Sequence, residues 1–273
     1  MVYNAVAVAG GYVYAAGYYD YDYLYVEKRT ADLALVANAT YLEDGWHSAE
    51  AYGIAVDPST GHIWVVGYYD DGNYERPLIL ILDPDLRLIR KVEPSDMRGF
   101  FANVCFIDNY AFVSGSRNVF KLDKSGNLVG KAVGGGQLAC ANNKLFVFWY
   151  AELMDGYRLG YTVFDTNFRE LKTVALAKND YEAAFYAPGR PDTDGQRVYA
   201  VAVVEGPRVA FAWVYAVPAD VSIAEQILLP AARITSLLKL AIIIGIAALF
   251  VVGLILSKIK KRKQGAEVAQ SAS

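Results

Sequence analysis

Histidine and cysteine are scarce in this chain: two of each among 273 residues. His47 and His62 lie in separate stretches, so the clustered imidazoles of a histidine metal site are excluded. Nucleophile and phosphate signatures are missing as well. "VSGSRN" is not a nucleophile elbow, and "VGGGQ" lacks the Lys-Ser/Thr of a phosphate loop. "PDTDG" (Pro191 to Gly195) has the opening of a calcium loop without its later ligands, so it reads as a structural turn. No cofactor is expected from any of these stretches. Low hydrophobicity is also absent: a hydrophobic fraction of 55% with 21 tyrosines excludes a disordered chain.

Charge is missing altogether from Leu240 to Leu256, a run of 17 residues. At ~1.5 Å per residue it spans ~25 Å as a helix, close to the hydrocarbon thickness of a bilayer. Five basic residues follow within Lys258–Lys263, a cluster that stays on the cytoplasmic side and meets anionic lipid headgroups. The alternative is a buried core helix. The sequence therefore divides into an ectodomain (1–230), a transmembrane helix with a short lead-in (231–257) and a basic, disordered cytoplasmic tail (258–273). The expected location is the cell membrane, single-pass, with the bulk of the chain outside.

The opening "MVYNAVAVAGG" reads as alternating strand, with no basic then apolar leader. Either a leader and further chain lie upstream, or the protein is tail-anchored with its domain in the cytoplasm. Seven of the 26 basic residues and one of the 29 acidic ones lie from Arg233 onward. That leaves 19 against 28, a net charge of −9, which repels nucleic acid and favours cations or neutral polar ligands.

"GYYD" occurs twice, from Gly17 and from Gly67, each time after a hydrophobic run. Around the second copy the order is "GIAVD", "IWVVG", "LILILD" and "LIRKV", four short β-branched runs separated by Gly, Pro and Asp turns. The same order recurs as "NVCFID", "YAFVSG", "VFKLD", "LVGKAV" and as "QLACA", "KLFVFW", "GYTVFD", "LKTVAL". A first unit starts at "NAVAVA", and a looser fifth runs from "EAAFYA" to "SIAEQILL". Four-stranded units that cannot stand alone and recur about every 34 to 53 residues predict an all-β fold, a β-propeller of about five blades. The second unit resembles the blade pattern of NHL and YVTN-type repeat propellers. That resemblance implies the fold and carries no catalytic motif. Six or seven blades with upstream sequence, or two stacked sheets, are the alternatives.

Naming the strands of a blade A to D from the centre outward sorts the loops by face. The C–D turns begin with Asp83, Asp123 and Asp165, carboxylates placed to accept backbone N–H bonds within their own turn. The B–C and D–A loops gather on the other face. From the first two units they carry Tyr18, Tyr19, Asp20 and Asp22, then Trp46, Tyr68, Tyr69, Asp70 and Asp71. The fourth unit adds Trp149, Glu152 and Asp155. Aromatic rings with carboxylates suit a polar ligand, and the structural alternative is a solvated acidic rim with tyrosines packed at blade edges. Cys105 and Cys140 fall on innermost strands of consecutive blades, so they form either a disulfide or two buried thiols. Asn38-Ala-Thr40 is a glycosylation triplet.

The function expected is a membrane-anchored, non-catalytic propeller that binds a protein or glycan through this face. A carbohydrate-active enzyme with carboxylates at the channel mouth, and an accessory subunit of a membrane complex, are the alternatives.

Overall fold

Gly, Asp and Asn turns reverse the chain after each β-branched run, and the runs pair with their neighbours in sequence. In the computed structural model the described residues are 1–94, 97–115, 117–153, 156–179, 183–184, 191–205 and 210–220. They form a five-bladed β-propeller.

The first blade is β1 (Val2–Ala9), β2 (Tyr12–Tyr19), β3 (Tyr23–Thr30) and β4 (Leu35–Tyr41). The second is β5 (Ser48–Val56), β6 (Ile63–Asp70), β7 (Glu75–Leu82) and β8 (Leu88–Val92). The third is β9 (Phe101–Ile107), β10 (Tyr110–Gly115), β11 (Asn118–Asp123) and β12 (Leu128–Val133). The fourth is β13 (Gln137–Ala141), β14 (Lys144–Leu153), β15 (Gly156–Asp165) and β16 (Glu170–Asn179). Each is an antiparallel meander in chain order.

The fifth sheet departs from that plan. Its innermost rank is split into β17 (Ala183–Ala184) and β18 (Asp192–Thr193), both paired with β19 (Arg197–Glu205), and β20 (Ala210–Pro218) lies beyond. "PDTDG" therefore contributes a strand as well as a turn. Asp194 accepts the backbone N–H groups of Gln196 and Arg197 at 2.8 and 2.7 Å. The expected strand "SIAEQILL", the span Leu240–Leu256 and the basic tail fall outside the described residues. Among the described residues no helix is long and apolar enough to cross a membrane.

A propeller blade is buried on both faces, which is why its middle strands do not alternate. Leu78 to Leu82 are all buried. Leu80 packs toward the first blade with Leu24, Val26 and Ile54, while Ile79 and Ile81 pack toward the third with Val113 and Phe120. Each such side chain contributes roughly 1.5–3 kcal/mol of burial. The fourth and fifth blades close over Phe146, Phe148, Val163, Val198 and Ala200 in the same way.

Polar latches repeat between blades. The Lys28 ammonium donates to the Pro84 carbonyl at 3.0 Å and lies 4.1 Å over the Tyr12 ring. Lys121, two blades on, donates to Thr166 at 3.0 Å and lies 3.9 Å over Tyr110. In both cases the acceptor is the second residue of the next blade's C–D turn. The turns themselves are built as the carboxylates predicted: Asp83, Asp123 and Asp165 each accept N–H bonds from two and four residues ahead at 2.8–2.9 Å. The tip residue of each turn is left-handed, with φ of 66° at Leu86, 83° at Gly126 and 63° at Phe168. Leu86 and Phe168 use that strained position to fold an apolar side chain onto the preceding blade.

At the A–B end, Asp57 is buried and closes the second blade on the third. Its carboxylate accepts from the Ser59 amide and hydroxyl, the Thr60 hydroxyl and, at 2.6 Å, the Lys124 ammonium. Cys105 of β9 and Cys140 of β13 are joined in a disulfide, with their Cα atoms 5.8 Å apart.

Candidate functional site

The repeated glycines do more than end a strand. Strand β2 runs on through Tyr18 and Tyr19, and β6 through Tyr68, Tyr69 and Asp70, so the Tyr-Tyr pairs belong to strands rather than loops. Opposite Gly17, Gly67 and Gly115 the innermost strands β1, β5 and β9 each break register by one residue. The extra residues are Asn4, Tyr52 and Ala102. A Cβ on Gly17 would meet the Tyr3 Cα at 2.9 Å and the Val2 carbonyl oxygen closer still; one on Gly67 would meet Ala51 Cα at 2.9 Å and the Glu50 carbonyl oxygen closer still. The glycine makes room for the bulge, and the bulge re-aims a side chain.

The bulges lie toward the starts of the innermost strands, at the end of the ring, the mouth, from which the B–C and D–A loops leave. Asn4 donates its amide N–H to Glu50 Oε1 at 2.7 Å and to the Ala51 carbonyl at 3.0 Å, and Tyr68 donates its hydroxyl to Glu50 Oε2 at 3.2 Å. The Tyr52 ring lies 5.6 Å from that of Tyr68 and meets Phe100 edge-on at 5.1 Å. All five residues are half-buried. Burial, then the charges of Glu50 and Glu75, push the Tyr52 hydroxyl up to about 12. Burial and Glu50 push the Tyr68 hydroxyl up as well, so both stay neutral donors at ordinary pH.

The expected rim residues divide into small groups. Tyr18 lies 5.7 Å from Tyr21 above the turn that holds Asp20 and Asp22, and the Asp22 carbonyl accepts the Ala49 N–H at 2.8 Å. Trp46 stacks on Tyr69 at 4.5 Å, with the Lys91 ammonium 5.1 Å over the indole ring; Lys91 also pairs with Glu43 and Glu93. Asp70 accepts the Gly72 N–H at 2.8 Å. Asp71 accepts from Asn73 and Tyr74 and pairs with Arg76 at 2.7 Å, and these partners hold its carboxyl down at about 2. Both aspartates shape their own loop.

Trp149 lies within β14, covers Gly160 and donates to Thr162 at 3.1 Å. Glu152 lies in β14 with its backbone opposite Tyr157, its side chain is outside the described residues, and Asp155 is outside them entirely. Asn38 is exposed on β4, opposite Glu27.

Asn4, Glu50, Tyr52 and Phe100 were not among the sequence candidates. A glycine repeated at the same place in three second strands ("AAG", "VVG", "VSG") was the available signal. Below the mouth, the channel opens as a cavity of about 870 Å³ that reaches from Tyr3 to Thr193 and includes both cysteines in its wall. Among the described residues no group of three His, Cys, Asp or Glu is placed to hold a metal ion.

No protein-family model matches the chain, and no curated protein matches it. Among solved structures, a protein of unknown function from Bacteroides caccae is 14% identical over 72% of this chain and 69% of its own, with a TM-score of 0.50. The Pan2 WD40 domain of Neurospora crassa is 9% identical over 74% of each chain, TM-score 0.46. A GH43 endo-arabinanase from Bacillus licheniformis is 13% identical over 78% of this chain and 92% of its own, TM-score 0.42. The likeness concerns the fold alone.

Proposed function

We propose that this chain is a membrane-anchored, non-catalytic propeller that presents its tyrosine-rich mouth outside the cell and binds a glycan or a protein loop there. The observation that carries the reading is the Glu50 carboxylate, held between Asn4 of the first blade and Tyr68 of the second beside two aromatic rings. A carboxylate fixed in this way accepts hydroxyl or amide donors, and the rings offer flat apolar surface.

A non-catalytic role fits the same geometry. A glycosidase needs a general acid and a second carboxylate at a set distance across the bond. Here Asp71 is held ionised by Arg76, and both Glu50 oxygens accept hydrogen bonds. Exposure outside the cell is supported by the Cys105–Cys140 disulfide, a bond that persists in oxidising compartments. Anchoring rests on the uncharged run Leu240–Leu256 and the basic residues after it, which meet anionic headgroups.

The test is binding of glycan and surface-protein panels to the full chain in lipid nanodiscs. Replacing Glu50 by Gln together with Tyr68 by Phe removes a charged acceptor and its donor, and is expected to weaken binding at least about tenfold. Unchanged binding in that variant removes the mouth from the reading, and release of a cleaved sugar from any panel member replaces binding with catalysis.

A further inference from the structure

The tip of the first B–C hairpin holds a tyrosine where the backbone favours glycine. Asp22 donates its N–H to the Tyr19 carbonyl at 3.3 Å, closing a turn whose central residues, Asp20 and Tyr21, have φ of 52° and 63°. Two positive φ values in succession suit Gly and Asn, and elsewhere the chain uses them: Gly10–Gly11 at 58° and 80°, Asn142–Asn143 at 48° and 56°. A tyrosine in that position is strained. At the tips of C–D turns, Leu86 and Phe168 offset a similar strain by burying an apolar side chain, and Leu33 shares their turn form. Tyr21 buries little. It is 81% exposed, 5.7 Å from the Tyr18 ring, with the exposed residues Asp20 and Asp22 on either side. Strain kept for an exposed ring points to a use outside the fold.

The corresponding loop of the second blade carries the same groups with their partners in place. The Arg98 guanidinium lies 3.5 Å over the Tyr74 ring, and Arg76 lies 5.5 Å from that ring while pairing with Asp71 at 2.7 Å. In the first blade no basic residue precedes Lys28. Lys28 donates to Pro84, and Arg29 to Glu27 and Leu33, all at the other end of β3. Among the described residues no cation lies over Tyr21 or pairs with Asp20 or Asp22. We propose that this tip binds an arginine side chain on a loop of a partner protein, with the guanidinium over Tyr21 and its N–H groups on Asp20 or Asp22. An exposed hairpin tip encloses nothing, which suits a protein surface better than a free sugar. The proposal rests on the mouth face as the binding face, and it selects the protein over the glycan there.

The probes are disulfide-closed Gly-Ser peptides that differ only at two central positions: arginine, lysine, or citrulline, the uncharged isostere of arginine. Each is titrated against the full chain in zwitterionic nanodiscs and followed through ring-labelled tyrosine NMR, the Tyr21 signal being assigned by its loss in Tyr21→Phe. The arginine peptide is expected to shift that signal saturably at a concentration at least about tenfold below the citrulline peptide, with lysine between them. Asp20→Asn with Asp22→Asn is expected to weaken the arginine peptide about fivefold. Tyr21→Gly suits the turn, so it is expected to raise the thermal midpoint by about 2–4 °C. A lowered midpoint would make the tyrosine a structural residue and overturn the inference. An arginine peptide no better than citrulline overturns it too, as does a wild type that shows no saturable shift. The Tyr21 response is expected to survive Glu50→Gln with Tyr68→Phe. Panel binding that depends on those two residues and not on Tyr21 leaves the mouth reading standing and ends this one.

Discussion

A β-carbon on Gly67 would lie 2.9 Å from the Cα of Ala51 and nearer still to the carbonyl oxygen of Glu50. No side chain can yield there, because the obstruction is backbone. Gly67→Ala and Gly17→Ala are each expected to cost about 3 kcal/mol, either by flattening the bulge or by parting the strands. Gly115, where the nearest atom is the Phe100 carbonyl oxygen at 3.2 Å, is expected to cost about 1 kcal/mol on substitution. Thermal midpoints of the three variants read the order, and equal losses would contradict it.

The Asp57 latch has a pH signature. Burial works to raise its carboxyl, and Lys124, Ser59 and Thr60 overcome burial and hold it at about 2, below its ordinary 3.8. A lowered folded-state value means stability that is present above pH ~4 and is lost as pH falls toward 2. Asp57→Asn is expected to cost about 2 kcal/mol at pH 7, and the gap from wild type to close between pH 4 and 2. Denaturation curves across that window check it; a gap that stays constant down to pH 2 would contradict the linkage.

Lys28 and Lys121 perform the same task in different blades and share no partner. Lys28→Met and Lys121→Met are each expected to lose about 1 kcal/mol, from one hydrogen bond to a carbonyl and the ammonium–ring contacts beside it. The double variant is expected to lose the sum to within about 0.5 kcal/mol. A double variant no worse than either single one would mean that the two latches are not independent.

Glu50 leaves its mark on the tyrosines beside it. In a titration followed through ring-labelled tyrosine NMR, Tyr52 is expected to ionise at about 12. Glu50→Gln is expected to lower that value by removing a negative charge while leaving the ring buried. A Tyr52 titration indifferent to this substitution would place the carboxylate away from the ring.

Much of the propeller was legible because its signals are local. The repeat order, the aspartate that opens each C–D turn and the placing of both cysteines on innermost strands depend on residues a few positions apart. The fifth blade was less so: its inner rank is divided between Ala183–Ala184 and Asp192–Thr193, and neither piece is long enough to show a period. At the mouth, the sequence singled out aromatic and acidic residues on the expected face, yet the carboxylate that joins two blades is Glu50. Its partner Asn4 is 46 residues away, and no short-range pattern links them. Asp70 and Asp71 were counted as ligand candidates, although their partners Gly72, Asn73, Tyr74 and Arg76 lie only two to five residues on, the same local pattern that identified the C–D turn aspartates as structural.

The register breaks fall in the first three blades, while β13 of the fourth pairs with β14 without interruption. The five sheets repeat around the ring, but the rim they frame has a front and a back. Two of the three bulges present a polar side chain, Asn4 and Tyr52, while the third presents only the buried methyl group of Ala102, so a ligand seated there would have one preferred orientation.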